Sequence, residues 1–330
     1  MKTSKWCMMS VTLVGLIAVA IMAGQTIRRY KTADGIIIHD AFHGLTGRLI
    51  YLKGRFPEFG VRPPAEVWSY DLVTKEKVKL LDVKEAGELF VSADGIWIGI
   101  IFENGEILVS SPAKGYTHTF KFPHMFASDE IAAVIINGRL CVKSGPRGGQ
   151  RVDIIDLQTQ RAINVRVAEA AESIYVASRM ADTNHLFVSR FSLSSRESGL
   201  YMCDLDTGAA TRTAGEDSDF FDYSYAGDYV GWDEGAVKVY KVPEGAGKSV
   251  DREHGREVCR FYGRDAGLIL QQVSPCLRYA LVGGSFITGN GMDSIYYLCD
   301  LKTGQKKRFV DAKPSKVERG AFIGGVRWVK

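Results

Sequence analysis

The sequence predicts an all-β protein built as a β-propeller, and three observations support this fold class. From about residue 35 the chain consists of short runs rich in β-branched and aromatic residues, separated by turn residues, with almost no helical periodicity. A unit of strand, Asp-Leu, turn and strand then recurs at intervals of roughly 40 to 60 residues, the period of propeller blades. The length of 330 residues is sufficient to bury a large core.

The repeated unit is defined by an Asp-Leu pair that follows a strand. Its clearest copies are W-S-Y-D-L-V-T-K-E at Asp71, D-I-I-D-L-Q-T-Q at Asp156, Y-M-C-D-L-D-T-G at Asp204 and Y-L-C-D-L-K-T-G at Asp300, with weaker copies at Ser110 and Lys241. Aspartate accepts hydrogen bonds from the backbone of a turn, and glycine supplies the left-handed residue that closes it. We therefore interpret the four aspartates as turn formers and not as a shared carboxylate site.

A second signature, a serine-led turn, precedes several of these copies. It occurs at residues 92–95, 224–228 and 274–276, and an apolar strand follows each time. Each unit therefore contains four strands. This predicts six blades, at residues 35–84, 88–122, 131–167, 173–215, 220–263 and 267–311, while a seventh blade shared between the termini stays open. The strand from Ala321 is expected to pair with the first blade and close the ring.

Composition excludes several classes of protein. Residues are 46% hydrophobic and 24% charged, which is too apolar for a disordered chain, and the 35 glycines follow no triplet period. The net charge of +4 comes from 42 basic and 38 acidic residues. No concentrated basic face is indicated, so nucleic acid is not an expected partner.

The N-terminus indicates export. Residues 1–31 carry five basic residues and no acidic one, and residues 7–24 contain no charge. This pattern predicts a hydrophobic helix that serves either as a cleaved signal peptide or as an uncleaved membrane anchor. Residues 32–330 would then form the propeller outside the cytoplasm, in the periplasm or on the cell surface. They would be tethered to the membrane through residues 7–24 if the segment is uncleaved.

The paired signatures resemble the propeller repeats of the TolB type, which also occur in prolyl-oligopeptidase-like peptidases. The resemblance covers about residues 35–311. TolB proteins place an α/β domain before the propeller, whereas in this sequence only a few residues separate the hydrophobic segment from the first predicted strand. The sequence contains no G-x-S-x-G nucleophile motif of the kind that the peptidases need. The resemblance therefore implies an isolated extracytoplasmic propeller and assigns no catalytic residue.

One cluster of side chains, His39-Asp40-x-x-His43, is a candidate metal-binding or catalytic site. Because this stretch is predicted as strand and turn, we interpret it as polar residues at a strand end, with neither a metal nor a cofactor expected. The remaining histidines are scattered, at His118, His124, His185 and His254. Convergence of some of them on the ring axis would favour an alternative function, a propeller enzyme (lyase, lactonase or glycan-active) with His and Asp residues around the central channel.

Cysteine usage leaves two interpretations open. Five of the six cysteines lie outside the N-terminal segment, and none forms a C-x-x-C pair. Cys259 and Cys276 are the nearest pair in sequence and the candidate for one disulfide. The other interpretation, which we prefer, is that the cysteines are small buried strand residues.

The loops between the second and third strands of each blade are the predicted binding face. They lie away from the Asp-Leu turns and carry arginine and aromatic residues, the types that dominate interface energies. The candidate residues are Arg55, Phe56, Phe59, Arg62, Arg147, Arg151, Phe191 and Arg196. We expect a monomeric binding or scaffold module that recognises an extracytoplasmic protein or glycan, an acidic or proline-containing partner in particular. The competing interpretation is that the long loop from residue 54 to 64 only plugs the channel mouth.

Overall fold

Strands joined by tight turns account for most of the residues that the structure describes. The computed structural model describes residues 29–31, 36–39, 41–55, 63–122, 133–144, 151–165, 172–177, 185–192, 198–214, 221–225, 228–241, 254–288, 291–312 and 321–330. These residues contain no α-helix and two 3₁₀ helices, Pro112–Lys114 and Gly263–Gly267. The predicted all-β class is confirmed.

The first thirteen strands run from the N-terminal region to the middle of the chain. They are β1 Arg29–Lys31, β2 Ile36–His39, β3 Arg48–Arg55, β4 Ala65–Asp71, β5 Lys77–Val83, β6 Glu88–Val91, β7 Ile98–Ile101, β8 Glu106–Ser111, β9 Tyr116–Lys121, β10 Ala133–Ile136, β11 Arg139–Ser144, β12 Arg151–Asp156 and β13 Ala162–Val165. Strands that are hydrogen-bonded neighbours in a sheet are antiparallel, and most connections between consecutive strands are short.

The remaining thirteen strands continue the same pattern. They are β14 Glu172–Ala177, β15 His185–Ser192, β16 Ser198–Asp204, β17 Ala210–Ala214, β18 Phe221–Tyr225, β19 Asp228–Asp233, β20 Ala236–Tyr240, β21 Arg256–Arg260, β22 Ile269–Val273, β23 Tyr279–Thr288, β24 Gly291–Asp300, β25 Lys306–Ala312 and β26 Ala321–Val329.

The described strands form six sheets. The first sheet has the order β26-β3-β4-β5, and the second to fifth are β6–β9, β10–β13, β14–β17 and β18–β21. The last sheet has six strands, β22-β23-β24-β25-β2-β1. Leading strands of neighbouring sheets contact each other, since β26 touches both β6 and β22, β6 touches β10, and β22 touches β18. The sheets are therefore arranged around an axis as in a β-propeller.

The predicted ring closure is confirmed. β26 pairs with β3, with Ala321 opposite Arg55 and Val329 opposite Arg48. A side chain strengthens the junction between the first and last sheets, because the Gln272 carboxamide bonds both backbone groups of Trp328. It accepts from the Trp328 N–H at 2.9 Å and donates to the Trp328 carbonyl at 2.5 Å.

The predicted first blade, residues 35–84, is wrong at its start. β2 lies instead in the last sheet, where Ile36 pairs with Ala312 and Ile38 with Val310. The C-terminal strand takes the leading place in the first sheet. Ile36–His39 has the composition of a strand, but its partner is set by long-range pairing that the local sequence does not encode.

The first sheet is buried on both faces, which explains its continuous apolar runs. In β3, Leu49 and Tyr51 pack against the last sheet, while Ile50 and Leu52 pack against the second sheet. All four side chains are at most 3% exposed. Burial on this scale is stabilising at roughly 25 cal/mol per Å² of apolar surface.

No helix in the described residues is long and apolar enough to span a membrane. The predicted hydrophobic segment falls within residues 1–28, which lie outside the described residues, and residues 29–31 form β1.

Candidate functional site

The Asp-Leu turns share one geometry in four sheets. In each turn the Asp Oδ1 accepts hydrogen bonds from the backbone N–H groups two and three residues later; at Asp156 these are Gln158 at 3.0 Å and Thr159 at 2.7 Å. The Thr159 hydroxyl donates to the same oxygen at 2.9 Å. The residue four positions after the Asp is left-handed in every case: Lys75, Gln160, Gly208 and Gly304. The interpretation of these aspartates as turn formers is confirmed.

Removing such a carboxylate should weaken the turn in a pH-dependent way. The Thr159 N–H bond holds the pKa of Asp156 below its ordinary value. A depressed pKa in the folded state gives stability that is present above the unfolded pKa of about 3.9 and is lost as pH falls through the folded value. We expect Asp156→Ala to lower the free energy of unfolding by about 1 kcal/mol at pH 7, and by less below about pH 4.

Asp156→Asn is the matched control, because its carboxamide oxygen can still accept the two backbone bonds. Urea unfolding of both variants and the parent at pH 7 and pH 3 measures the effect. Equal losses for Asn and Ala at pH 7 would show that the backbone bonds contribute nothing.

Three of the predicted binding residues lie in the described structure, at or near the ends of strands that border the predicted loops. Arg55 ends β3 opposite Ala321, Arg151 begins β12 opposite Ser144, and Phe191 lies near the end of β15 opposite Ser198. The other predicted residues, Phe56, Phe59, Arg62, Arg147 and Arg196, lie outside the described residues.

The topology places the predicted loops at equivalent points of their sheets. They join β3 to β4, β11 to β12 and β15 to β16, the second and third strands of the first, third and fourth sheets. The Asp-Leu turns join the third and fourth strands. Because neighbouring strands are antiparallel, the two kinds of connection leave opposite ends of each sheet.

In the histidine cluster at the N-terminal strand, His39 makes a long-range polar contact, whereas Asp40 lies outside the described residues. His39 Nε2 lies 2.8 Å from Asp311 Oδ2, although the two residues are 272 positions apart in sequence. Both side chains are largely buried, at 11% and 7% exposure. Because a carboxylate only accepts, His39 Nε2–H donates. Arg308 also forms an ion pair with Asp311.

The other described histidines lie away from the ring axis. His118 is on β9, the outermost strand of the second sheet, His185 begins β15, and His254 precedes β21. His124 lies outside the described residues. The leading strands β26, β6, β10, β14, β18 and β22 contain no histidine. Within the described residues no three His, Cys, Asp or Glu side chains are placed to hold a metal ion. The described part of the chain thus provides no histidine set at the channel.

The candidate disulfide between Cys259 and Cys276 is not formed. Both are free, Cys276 is exposed, and Cys259 is buried with Cys141, Cys203 and Cys299. Burial raises the pKa of Cys141 to about 12, so its thiol stays protonated. The interpretation as buried strand residues is confirmed for these four.

Sequence reasoning missed the His39–Asp311 pair and the Gln272 clamp on Trp328. Each joins side chains or strands that are far apart in sequence, and neither residue pair falls in a motif. Only the apolar and β-branched pattern around each residue could have placed it in a strand, and that pattern does not identify the partner.

Comparison with solved structures places the fold. TolB from Acinetobacter baumannii superimposes with a TM-score of 0.51 at 14% identity, covering 88% of this chain and 68% of that protein. The fold is that of a TolB-like β-propeller. At this identity the likeness shows the fold alone.

Two further solved structures match this TolB-like propeller with lower TM-scores. Dipeptidyl peptidase 4 from Porphyromonas gingivalis gives a TM-score of 0.41 at 11% identity, covering 83% of this chain and 44% of the peptidase. AztD from Citrobacter koseri gives 0.39 at 11% identity, covering 87% of this chain and 100% of AztD. No protein-family model and no curated protein matches the sequence.

Proposed function

We propose that this chain is an exported, six-bladed propeller that binds an extracytoplasmic protein or glycan through the loops between the second and third strands. The observation that supports this most is topological. The loops next to Arg55, Arg151 and Phe191 connect the second and third strands in three different sheets. In a ring of sheets such loops lie on one face. The sheets form a rigid scaffold that holds the loops in position as a binding surface.

The residue types on these loops suit a charged, extended partner. Arginine presents a planar fork that binds carboxylates through two parallel hydrogen bonds, and it stacks on flat groups. Phenylalanine supplies apolar area at low entropic cost. Phe56, Phe59 and Arg62 are the proposed anchors, and Arg147 and Arg196 extend the surface. An acidic or proline-containing segment matches this combination.

The location follows from the N-terminal segment. A basic start followed by residues 7–24 without charge is typical of export signals and anchors. The proposal therefore places the propeller in the periplasm or at the cell surface as a monomer, released or held by this segment.

Crosslinking in the native envelope tests the proposal. The full chain with a C-terminal tag is compared with a Phe59→Ala/Arg62→Ala variant, and the captured species are identified. The matched control is Val73→Ala/Arg161→Ala, because both side chains are exposed beside Asp-Leu turns at the opposite end of the sheets. We expect a specific partner that the loop variant loses and the control keeps. Retention of every partner by the folded loop variant would overturn the assignment of these anchors.

A further inference from the structure

Two buried cysteines lie together where the fifth sheet packs against the last sheet. Cys259 is on β21, the outermost strand of the fifth sheet, and Cys299 is on β24 in the last sheet. The two strands contact each other, and both side chains belong to one apolar core cluster. Both cysteines are free thiols in the structure. The binding proposed for the loops uses neither of them.

A lysine joins the two strands beside the cysteines. Lys306 pairs in register with Cys299 across β24 and β25, and its Nζ donates to the carbonyl of Arg260 at 2.5 Å. Arg260 is the residue that follows Cys259 on β21. The lysine therefore holds the strand that carries one cysteine against the strand pair that carries the other.

The backbones also approach closely on the other side of Cys259. A Cβ added at Gly304, in the turn between β24 and β25, would lie 2.6 Å from the carbonyl oxygen of Val258. A residue without a Cβ allows this approach, and Val258 directly precedes Cys259. Contacts on both sides of Cys259 thus keep β21 against the hairpin of β24 and β25.

The surroundings make Cys259 the more reactive of the two thiols. A hydrogen bond from the Cys299 thiol, assisted by the charge of the Lys306 ammonium, holds the pKa of Cys259 below its ordinary value. The same hydrogen bond and burial raise the pKa of Cys299, which therefore keeps its proton. Exposure agrees with this order, because Cys259 is 7% exposed and Cys299 is 0% exposed. Since a thiolate attacks in thiol–disulfide exchange, Cys259 is the expected nucleophile and Cys299 the resolving thiol.

We propose that Cys259 and Cys299 form a reversible disulfide site, which links the fifth and last sheets when a small-molecule or protein disulfide acts as the oxidant. The Cys259 thiolate attacks one sulfur of the oxidant, forms a mixed disulfide and expels a first thiolate. Cys299 then attacks the Cys259 sulfur, forms the bond between the sheets and expels the second thiolate. In total the two cysteines lose two electrons and two protons, and the oxidant gains them as two thiols. Side chains that already touch need little backbone movement to reach disulfide geometry.

The proposed location supplies such an oxidant. Disulfides form and persist in the periplasm and at cell surfaces, where the proposed function places this chain. The chemistry itself depends only on the two strands. A purified chain therefore tests it independently of location and of the loop face, so that failure of either proposal leaves the other standing.

A second pair, Cys141 and Cys203, is a control that the chain already contains. These cysteines also lie in neighbouring sheets, the third and fourth, and share one core cluster. Both are 0% exposed, and burial raises the pKa of Cys141 to about 12 and that of Cys203 to about 11. Neither is expected to provide a thiolate, so this pair should stay reduced while Cys259 and Cys299 become linked.

Disulfide mapping of the purified, reduced full chain tests the proposal, with 2-hydroxyethyl disulfide as the oxidant. Samples are quenched with an alkylating reagent in denaturant, digested without reductant and analysed by mass spectrometry. We expect a link between Cys259 and Cys299, with Cys141 and Cys203 recovered as alkylated free thiols. The link closes a loop of about 40 residues and should raise the unfolding temperature by about 5 °C.

Single alanine variants test the order of attack. Cys299→Ala should accumulate a mixed disulfide at Cys259, whereas Cys259→Ala should leave Cys299 unmodified. Cys203→Ala is the matched control, because it removes an equally buried strand cysteine and should leave the link unchanged. The proposal is overturned if the folded chain forms no link between Cys259 and Cys299, or if Cys141 and Cys203 become linked at the same rate. A link that forms but leaves the unfolding temperature unchanged would also count against it.

Discussion

Gly47→Ala is expected to lower the free energy of unfolding by roughly 3 kcal/mol or more, a large effect for a single methyl group. Gly47 has φ +93°, a conformation that side chains with a Cβ rarely adopt. A Cβ built there would lie 2.2 Å from the Val329 carbonyl oxygen, which is backbone and cannot rotate away. The new methyl group would therefore push the last strand away from the loop that leads into β3.

Gly44→Ala is the matched control in the same loop. Gly44 also has a positive φ, +76°, but an added Cβ would meet nothing within 4 Å. It should cost about 1 kcal/mol, the strain of the left-handed backbone alone. Denaturant unfolding of both variants measures the difference. Similar losses would show that the contact with Val329 gives way easily and that the closure is softer than the structure indicates.

The sequence carried enough information to predict the turns and the architecture. Asp-Leu followed by Thr is a local signal, because the Asp156 carboxylate bonds the backbone N–H groups of Gln158 and Thr159 and needs no distant partner. The motif predicted the turn even at Lys75 and Gln160, where the left-handed position lacks its usual glycine. The spacing of these turns then predicted four-stranded repeats.

Pairing between distant segments was not predictable in the same way. Ile36–His39 was assigned to the first blade because it precedes β3 in sequence, but it pairs with β25 in the last sheet. Similarly, Cys259 and Cys276 are close in sequence, yet one is buried and the other exposed. The partner of Ile36–His39 and the burial of each cysteine both depend on contacts between distant parts of the chain, which spacing in the sequence does not encode.

The candidate site also combines features that local sequence predicts with features that depend on long-range packing. Strand topology places Arg55 and Arg151 at equivalent ends of the first and third sheets, which the repeat pattern anticipated. The cavity between the first and last sheets was not anticipated, because its lining combines residues from both ends of the described chain. His39 and His43 were noted together in sequence, but Lys75 and Phe309 join them only through the fold.

Trp328→Ala is expected to have the largest effect of the side-chain substitutions, a loss of roughly 3 to 5 kcal/mol in the free energy of unfolding. The side chain is 3% exposed and packs with Tyr279 and Phe309 of the last sheet, at ring distances of 6.1 and 5.8 Å. Its Nε1–H donates to the Thr46 carbonyl at 2.9 Å. Truncation removes the packing between the first and last sheets.

Two further variants show how much of the Trp328→Ala effect comes from the lost packing. The first tests the contribution of the hydrogen bond, and the second tests the effect of removing any tryptophan from this sheet. Trp328→Phe keeps most of the ring contacts and loses only the bond to Thr46, so about 1 kcal/mol is expected. Trp68 lies on β4 of the same sheet, and its side chain is half-buried. Trp68→Ala should therefore lower the free energy of unfolding by less than Trp328→Ala does.

The position of Trp328 explains why its effect should reach beyond local packing. β26 lies near the C-terminal end of the chain, yet it forms the leading strand of the first sheet, beside β3. The Gln272 side chain bonds the backbone of β26 at Trp328. Loss of the indole should therefore increase amide hydrogen exchange along both β26 and β3, because the two strands protect each other. Exchange that rises in β26 alone would mean that β3 is stable without the closing strand. In that case the ring would be held mainly by contacts between the remaining sheets.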